Sequence, residues 1–292
     1  MDATSYLEIA HKNIIILYHG YCTDGFGAAY AAWKKFGTSA AYIPCERNKD
    51  TIVPEHFKGK EVYVVDYSFS KEEMLACERE ALSFTVLDHH ISAKDDVLLI
   101  KNHVFDNDHS GAYIAWKFFH PETPVPKLLE YISDADTWTH TLPDWQIIDA
   151  YIYNGSEDYF TFERYDRLSK ELSTEEGYTR AKEIGELLLA SFNEKLKMYE
   201  GIATLVSFEG YEIYAVNAPK EVKSELGHLL AKKTNSFSLI FMYENGAWKC
   251  SLRSVDDFDV SQIAQKHGGG GHKNAAGFYI KADFPFPLAR AV

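Results

Sequence analysis

The tripeptide Asp88-His89-His90 is the segment of the chain with the clearest chemical potential. It directly follows residues 83–87, a short apolar run rich in residues that favour strands. A buried parallel strand presents ligands at the edge of a sheet by ending in polar residues of this kind. One carboxylate and two imidazoles are metal-binding groups. Taken alone, the triplet is equally compatible with a solvated loop, so its interpretation depends on the rest of the chain.

The same arrangement occurs twice earlier. The strand-like run 13–18 leads into a segment with His19 and Asp24, and the run 61–65 ends at Asp66. Because the carboxyl ends of parallel strands open into one crevice, these groups are expected to meet the triplet there. Such nitrogen and oxygen ligands suit Mn²⁺, Zn²⁺ or Fe²⁺. Two such ions about 3.5–4 Å apart clamp the attacking and leaving oxygens of a phosphoryl group, so hydrolysis of a phosphoester is the leading hypothesis.

Alternating strands and helices must position these residues. Helices are predicted over 25–36 and 71–82, and residues 104–106 form a further strand that ends in a carboxylate. This alternation indicates βαβ units and a mostly parallel sheet. A single charged helix follows over 173–200, and strand-like runs resume near Ala203.

The predicted fold is therefore α/β in two domains. Three segments are expected: a metal-binding catalytic domain with the mostly parallel sheet over 1–170, a helical linker over 171–202, and a smaller α/β substrate-binding domain over 203–292. A length of 292 residues, with 46% hydrophobic and 25% charged residues, agrees with two ordinary globular domains.

The composition also narrows location and partners. The apolar run 14–17 is too short for a secretory signal or a membrane span, and the four cysteines include no Cys-x-x-Cys pair. We therefore expect a cytoplasmic protein without a membrane partner. The net charge of −13 argues against long nucleic acid held chiefly through its phosphates. A short oligonucleotide or a dinucleotide is the favoured partner.

The ordered motifs resemble those of the DHH phosphoesterase superfamily. They are, in order, the His19/Asp24-Gly25 segment, Asp66, the 88–90 triplet and the stretch 132–138. The glycine-rich segment 268–278 resembles the signature of the associated DHHA1 substrate domain. The resemblance covers about residues 14 to 280. It implies two divalent ions, with Mn²⁺ expected and Mg²⁺, Co²⁺ or Fe²⁺ as alternatives.

The resemblance and the strand positions together suggest a role for each residue. The assignments are Asp66 as a carboxylate that bridges both ions, His19 on the first ion, Asp24, His89 and Asp136 on the second, Asp88 as the group that orients a histidine, and His90 as a donor to a phosphate oxygen. Asp66, Asp88 and His90 are thus the expected catalytic groups.

Two points of this assignment stay open. Family members commonly carry Asp-x-Asp-Gly in the first motif, whereas the first of these positions here is Cys22. Cys22 could bind a softer metal as a thiolate or be a spectator, and we favour the spectator. For the last ligand, Asp136 fits the family pattern better than Asp134.

The resemblance also implies phosphate-binding groups in the second domain. Arg253 lies where the family keeps an arginine for phosphate, and a guanidinium fork suits that task. Consecutive glycines can turn several N–H groups toward one anion, although a flexible loop is the alternative. We assign substrate binding to Arg253, Gly269, Gly270, Gly271 and His272.

The sequence therefore predicts a metal-dependent phosphodiesterase that degrades short single-stranded oligonucleotides or dinucleotides to mononucleotides. Tyr21 and Trp138, beside the metal motifs, are candidates for stacking on a base. The alternatives are a pyrophosphatase, an adenosine bisphosphate phosphatase, or a non-catalytic nucleotide-binding module whose site has decayed at Cys22. The choice among DNA, RNA and cyclic dinucleotides stays open, as do cleavage polarity and homodimerisation.

Overall fold

The computed structural model describes residues 3–46, 52–153, 159–244, 246–281 and 289–290. The chain divides into two compact units, of which the first ends at Leu188 and the second begins at Leu189. The division falls inside a 28-residue helix, Glu175–Ile202. The helical linker expected over 171–202 stays a prediction.

A five-stranded sheet forms the centre of the first unit. Its strands are β1 (Ile14–His19), β2 (Ala40–Cys45), β3 (Glu61–Val65), β4 (Ser83–Asp88) and β5 (Asn102–Phe105). They lie in the order β2-β1-β3-β4-β5, and every neighbouring pair is parallel. The predicted α/β class is confirmed. The strands expected to carry ligands, β1, β3 and β4, are direct neighbours.

Helices cover both faces of this sheet. They are α1 (Ala3–His11), α2 (Thr23–Phe36), α3 (Lys71–Glu80), α4 (Lys94–Val97), α5 (Gly111–Phe119), α6 (Lys127–Asp136), α7 (Trp145–Ile152), α8 (Phe162–Leu172) and α9 (Glu175–Ile202). Alternate residues of β1 enter different cores, Ile15 and Leu17 on one face and Ile16 and Tyr18 on the other. Burial on both faces is the usual condition of a parallel sheet.

Two glycines bring helix N-termini against the ends of the strands. A Cβ at Gly25 would lie 2.1 Å from the carbonyl oxygen of His19, and a Cβ at Gly111 would lie 2.4 Å from the Cβ of Asp66. Any side chain at either position would push α2 or α5 away from the sheet. The two helices therefore begin directly beside the residues expected to bind metal.

The second unit contains a seven-stranded mixed sheet. Its strands are β6 (Thr204–Phe208), β7 (Tyr211–Asn217), β8 (Phe237–Glu244), β9 (Ala247–Ser254), β10 (Gly270–His272), β11 (Ala275–Lys281) and β12 (Ala289–Arg290). The order is β10-β11-β9-β8-β7-β6-β12, with only β7 and β8 parallel among the described pairs. Helices α10 (Lys223–Thr234) and α11 (Val260–Lys266) pack on it.

Within the described ranges, no helix combines the length and the apolar composition needed to cross a membrane.

Candidate metal centre

The predicted ligands of the first unit meet at the carboxyl end of the parallel sheet. Their positions are His19 at the end of β1, Asp24 in the first turn of α2, Asp66 directly after β3, Asp88 at the end of β4, His89 and His90 just beyond it, and Asp136 at the end of α6. Residues separated by more than a hundred positions are thus brought to one edge of the sheet.

Asp66 lies at the centre of the group. Its Oδ2 is 3.4 Å from His19 Nδ1, and its Oδ1 is 3.1 Å from His89 Nε2. The residue is only 1% exposed, and neither carboxylate oxygen has an aligned hydrogen bond from any described residue. Its backbone φ of 54° is a left-handed conformation, a kind of strain that concentrates at functional sites. A buried carboxylate with both oxygens unsatisfied is suited to bridge two cations.

The ionisation of Asp66 agrees with this interpretation. Burial by itself raises the pKa of a carboxyl group, but the contacts with His19 and His89 and the nearby charge of His90 outweigh it. The pKa of Asp66 therefore lies below its usual value. The carboxylate is charged and ready to accept cations.

Asp24, His89 and Asp136 form the second potential site. Nε2 of His89 lies 3.6 Å from Asp24 Oδ2 and 3.6 Å from Asp136 Oδ2, and one ligand atom of each residue falls within 4.8 Å of the others. The Asp24 oxygens also accept backbone N–H groups of α5, from Gly111 at 2.7 Å and Ala112 at 2.8 Å. The start of α5 thus fixes the carboxylate in place.

The carboxylates of this second site repel one another. Burial and the charges of Asp66 and Asp136 raise the pKa of Asp24 well above its usual value. Burial and the charge of Asp66 likewise raise the pKa of Asp136. In the described part of the chain, histidines are the only cationic groups within ion-pair distance of these carboxylates. The donor set therefore fits divalent cations, which would offset the repulsion.

His19, Cys22 and Asp66 form the first potential site, with one ligand atom of each within 4.8 Å of the others. Burial and the carboxylates of Asp66 and Asp24 raise the pKa of the Cys22 thiol. The sulfur therefore lies where it could bind an ion, provided that an ion displaces its proton. The spectator interpretation of Cys22 stays a prediction.

Asp88 holds the two histidines and belongs to a third potential site, because one ligand atom each of Asp66, Asp88, His89 and His90 lies within 4.8 Å of the others. Its Oδ1 accepts the backbone N–H of His89 at 2.7 Å and lies 2.7 Å from His90 Nδ1, while its Oδ2 accepts the Ser68 hydroxyl. Burial lowers the pKa of His90, but the hydrogen bond and charge of Asp88 and the charge of Asp66 raise it to about 9. The raised pKa favours the doubly protonated ring, in which Nε2 can donate a hydrogen bond while Nδ1 contacts Asp88.

The structure separates Asp134 from Asp136. Asp134 is buried, and its carboxylate accepts Thr139 Oγ1 at 2.8 Å, Thr141 N at 2.8 Å and Leu142 N at 3.3 Å. It organises the segment that follows α6. Asp136 is the one that lies with His89, and the geometry favours it as the ligand.

Two exposed aromatic residues adjoin the cluster. Tyr21 is 76% exposed and Trp138 is 58% exposed, and both have a backbone φ of 56°. Left-handed backbone is uncommon for bulky residues. It occurs here one residue before Cys22 and two residues after Asp136.

The sequence predicted both aromatic residues as candidates but did not predict the contacts of Ser68 and of the α5 N–H groups. The segment Ser110-Gly111, which precedes a helical pattern, was the signal available for the N–H groups.

The glycine run of the second unit is ordered, and one of its predicted contacts needs correction. The N–H of Gly269 donates to the Ala264 carbonyl at 2.8 Å, so it is already used within the fold. A Cβ at Gly269 would lie 2.1 Å from the Gly277 carbonyl oxygen, which explains the glycine by packing. Gly270 and Gly271 pair with β11 as part of β10. Gly270 and Gly271 thus belong to a strand, and the N–H of Gly269 is not free for an anion, so Gly269 leaves the predicted anion nest. Phosphate binding by the rest of the run stays a prediction.

The other predicted substrate-binding residues lie in the same unit. The Arg253 guanidinium, on β9, donates to Ser224 Oγ at 3.2 Å and to the Leu252 carbonyl at 2.9 Å. The backbone of His272 pairs with Ala275, whereas its side chain lies outside the described residues.

Comparison with known proteins supports the motif assignment. Residues 210–289 match the DHHA1 domain family. The chain is 31% identical over 296 residues to the uncharacterized protein R106 of Acanthamoeba polyphaga mimivirus, a match that covers 93% of this chain and 69% of R106. It is 29% identical over 181 residues to the oligoribonuclease NrnB of Bacillus subtilis (strain 168), covering 58% of this chain and 43% of NrnB. The chain thus spans less than half of the length of NrnB.

A solved structure shares the fold. The DHH domain of PF0399, described as a member of a family of ribosomal proteins, has a TM-score of 0.58 and 17% identity to this chain. The match covers 95% of this chain and 85% of that one. At this identity the similarity demonstrates a common fold.

Proposed function

This chain belongs to the DHH/DHHA1 phosphoesterase superfamily, and from that premise we propose that it is a divalent-metal-dependent phosphodiesterase. Its substrates are short single-stranded oligonucleotides or dinucleotides, which it hydrolyses to mononucleotides. The observation that carries the proposal is the Asp66 carboxylate, buried with both oxygens unsatisfied between His19 and His89.

Two divalent ions, when bound, supply an activated water and offset the charge of the phosphoryl group. Asp66 would hold both ions, His19 the first, and Asp24, His89 and Asp136 the second. Mn²⁺ is the expected ion, with Mg²⁺, Co²⁺ and Fe²⁺ as alternatives. Mixed imidazole and carboxylate ligands support this choice over a purely thiolate metal site.

His90 and Asp88 have a different task. Asp88 keeps the His90 ring fixed and protonated through its hydrogen bond to Nδ1. The other ring nitrogen, Nε2, would then donate to a non-bridging phosphate oxygen. This contact orients the substrate and adds positive charge beside the phosphoryl group, where charge-assisted hydrogen bonds are strongest.

Short nucleic acid is supported by three observations. The relative NrnB is an oligoribonuclease. Tyr21 and Trp138 expose aromatic rings beside the cluster, and stacking on such a ring contributes about 1–3 kcal/mol per base. The second unit offers Arg253, and its β10 backbone at Gly270 and Gly271, as the groups that would bind phosphate.

An activity panel on the full chain tests the proposal. The protein is stripped with a chelator, reloaded with Mn²⁺, and supplied with labelled dinucleotides, pentanucleotides and twenty-four-nucleotide strands of DNA and RNA. Cyclic di-AMP, adenosine bisphosphate and pyrophosphate complete the panel. Fast cleavage of the shortest strands is expected. Cleavage of pyrophosphate alone would overturn the proposal, and metal binding without turnover of any compound would favour a nucleotide-binding module.

A further inference from the structure

Three cationic side chains line a pocket in the second unit, and the charge of a fourth, Arg253, acts on one of them, Lys223. Lys220, Lys223 and Lys249 line the pocket together with Ser251. Arg253 follows Ser251 by two residues on β9, so Lys249, Ser251 and Arg253 project from the same face of that strand. The chain as a whole carries a net charge of −13, which makes a local excess of cations the more notable.

Two different elements deliver these cations. Lys249, Ser251 and Arg253 come from β9, whereas Lys220 and Lys223 come from the segment that leads into the first turn of α10. The hydrogen bond from Arg253 to Ser224 Oγ ties the strand to this turn. A short 3₁₀ turn, Lys220–Val222, leads directly into α10, and the Lys223 N–H donates to the Lys220 carbonyl. The pocket is therefore part of the packed fold.

The cations outnumber their acidic partners. Lys249 pairs with Glu244 at 3.2 Å, and Glu225 acts electrostatically on Arg253. Lys220 and Lys223 have no ion pair with any residue that the structure describes. Burial and then the charges of Arg253, Lys249 and Lys220 lower the pKa of Lys223. Such repulsion is relieved when an anion enters.

We propose that Lys220, Lys223, Lys249 and Ser251 form a second phosphate-binding subsite, which holds the sugar-phosphate backbone of a short single-stranded nucleic acid beside the phosphate bound by Arg253. The choice of a nucleotide chain as ligand rests on the function proposed above. Lysine is a flexible point charge that contacts phosphate without reading the base. The subsite therefore increases the affinity for longer strands and does not select a base sequence.

Binding without turnover tests the subsite. Anisotropy of a fluorescein-labelled pentanucleotide is measured with the full chain in a chelator, over a range of salt concentrations. For single strands, log K falls with log salt with a slope of about −0.7 per phosphate contact. The double variant Lys220→Gln/Lys223→Gln should therefore lose about 0.7 to 1.4 from the magnitude of that slope. It should bind the pentanucleotide severalfold more weakly at low salt.

A matched variant and a shorter probe separate the subsite from general charge effects. Lys232→Gln/Lys233→Gln removes the same charge from the other end of α10 and should leave the slope unchanged. A dinucleoside monophosphate has one phosphate, which Arg253 would take, so the Lys220/Lys223 variant should bind it as wild type does. Orthophosphate at the same phosphate concentration should not displace the pentanucleotide, which distinguishes a strand site from a site for the free ion.

Several results would overturn the subsite. These are equal losses in both double variants, an unchanged slope in the Lys220/Lys223 variant, displacement by orthophosphate, and absence of measurable pentanucleotide binding by the wild type. Thermal melts verify that each variant is folded. Because binding is measured without metal, the two proposals fail separately. If the slopes are as expected but the protein reloaded with metal hydrolyses nothing, only the proposed function is wrong. If the protein hydrolyses oligonucleotides but the slope of the Lys220/Lys223 variant equals that of wild type, only the subsite is wrong.

Discussion

Each unit brings together side chains of one charge, and the sign of that charge differs between the two units. In the first unit, Asp24, Asp66 and Asp136 crowd around His89. In the second, Lys220 and Lys223 share a pocket with Lys249. In each group, burial and then neighbouring charges of the same sign disfavour the charged form of one member: the pKa of Asp24 is raised and the pKa of Lys223 is lowered. One is prepared for cations and the other for anions.

The two groups differ in how firmly they are held. Asp24 and Asp66 are each 1% exposed, and Asp24 is fixed by two backbone N–H groups. Lysine side chains, by contrast, are long, flexible and easily re-oriented. Chemistry at a phosphorus atom needs the first kind of precision, because small displacements of reacting groups are expensive. A sugar-phosphate backbone that is bound whatever its base sequence needs only flexible contacts such as those of lysine.

The largest expected effect, on metal binding and turnover, comes from a substitution in the acidic group of the first unit. Asp66→Asn keeps the size of the side chain but removes the charge that we propose both ions share. Because loss of a residue that only orients a ligand already weakens metal binding about 10–100-fold, loss of the carboxylate proposed to bridge the ions should exceed that range and abolish turnover. Metal content by mass spectrometry and affinity by calorimetry measure the loss.

Asp106→Asn is the matched control. Asp106 also follows a strand of the same sheet, and its N–H donates to the Asp88 carbonyl at 3.3 Å. Its carboxylate, however, pairs with His109 at 2.7 Å and is in none of the potential metal-ligand groups of the described residues. Metal binding and activity should be unchanged in this variant. Normal metal content in Asp66→Asn, with a wild-type melting curve, would remove Asp66 from the site.

These residues also show how far sequence could go. The apolar runs before Asp66 and Asp88 were sufficient to predict parallel strands that end at a shared crevice. Nothing local predicted that Asp24 accepts N–H groups from Gly111 and Ala112, because that contact joins residues 87 and 88 positions apart. Nor did the sequence reveal that Gly269 is required by packing against Gly277. Long-range packing decided both.

The second prediction sharpens which cations the first site accepts. Cys22 shares that site with His19 and Asp66, and a thiolate prefers softer metals than Mn²⁺. With the thiol as a spectator, Cys22→Ser should leave Co²⁺ affinity nearly unchanged, and the Co²⁺ protein should show no sulfur-to-cobalt absorption band. Mn²⁺-supported turnover should be nearly unchanged, and Cys22→Asp should tighten Mn²⁺.

Spectroscopy separates the two interpretations of Cys22 independently of activity. If the Co²⁺ protein shows no sulfur-dependent band, the thiol is a spectator for both metals. If Cys22→Ser abolishes Mn²⁺-supported turnover while the protein stays folded, the thiolate is needed even by the harder ion, and the softness argument is wrong.

The smallest expected effect concerns a carboxylate whose cationic partners are lysine side chains of the same unit. Asp166, on α8, lies 2.7 Å from Lys34 Nζ and 2.6 Å from Lys170 Nζ. Hydrogen bonds from Lys170 and Lys34 lower its pKa to about 2, whereas an unfolded chain has a value near 3.9. Asp166 therefore differs from Asp24, whose pKa is raised by burial and by the charges of Asp66 and Asp136.

The sign of the pH effect follows from these values. Because the folded pKa is below the unfolded one, the stabilisation by Asp166 is fully present above about pH 4 and is lost as the pH falls toward 2. Screening of a partly solvated pair reduces the gain to about 1 kcal/mol. Asp166→Asn should therefore lower the free energy of unfolding by about that amount at pH 7 and progressively less below pH 4.

Urea titrations of the metal-free chain at several pH values measure this pH dependence. Glu163→Gln on the same helix is a control that should show no such trend. A difference between Asp166→Asn and wild type that stays constant down to pH 2 would mean that Asp166 acts through packing. The contrast between a carboxylate beside lysines and one beside other carboxylates would then lose its electrostatic basis.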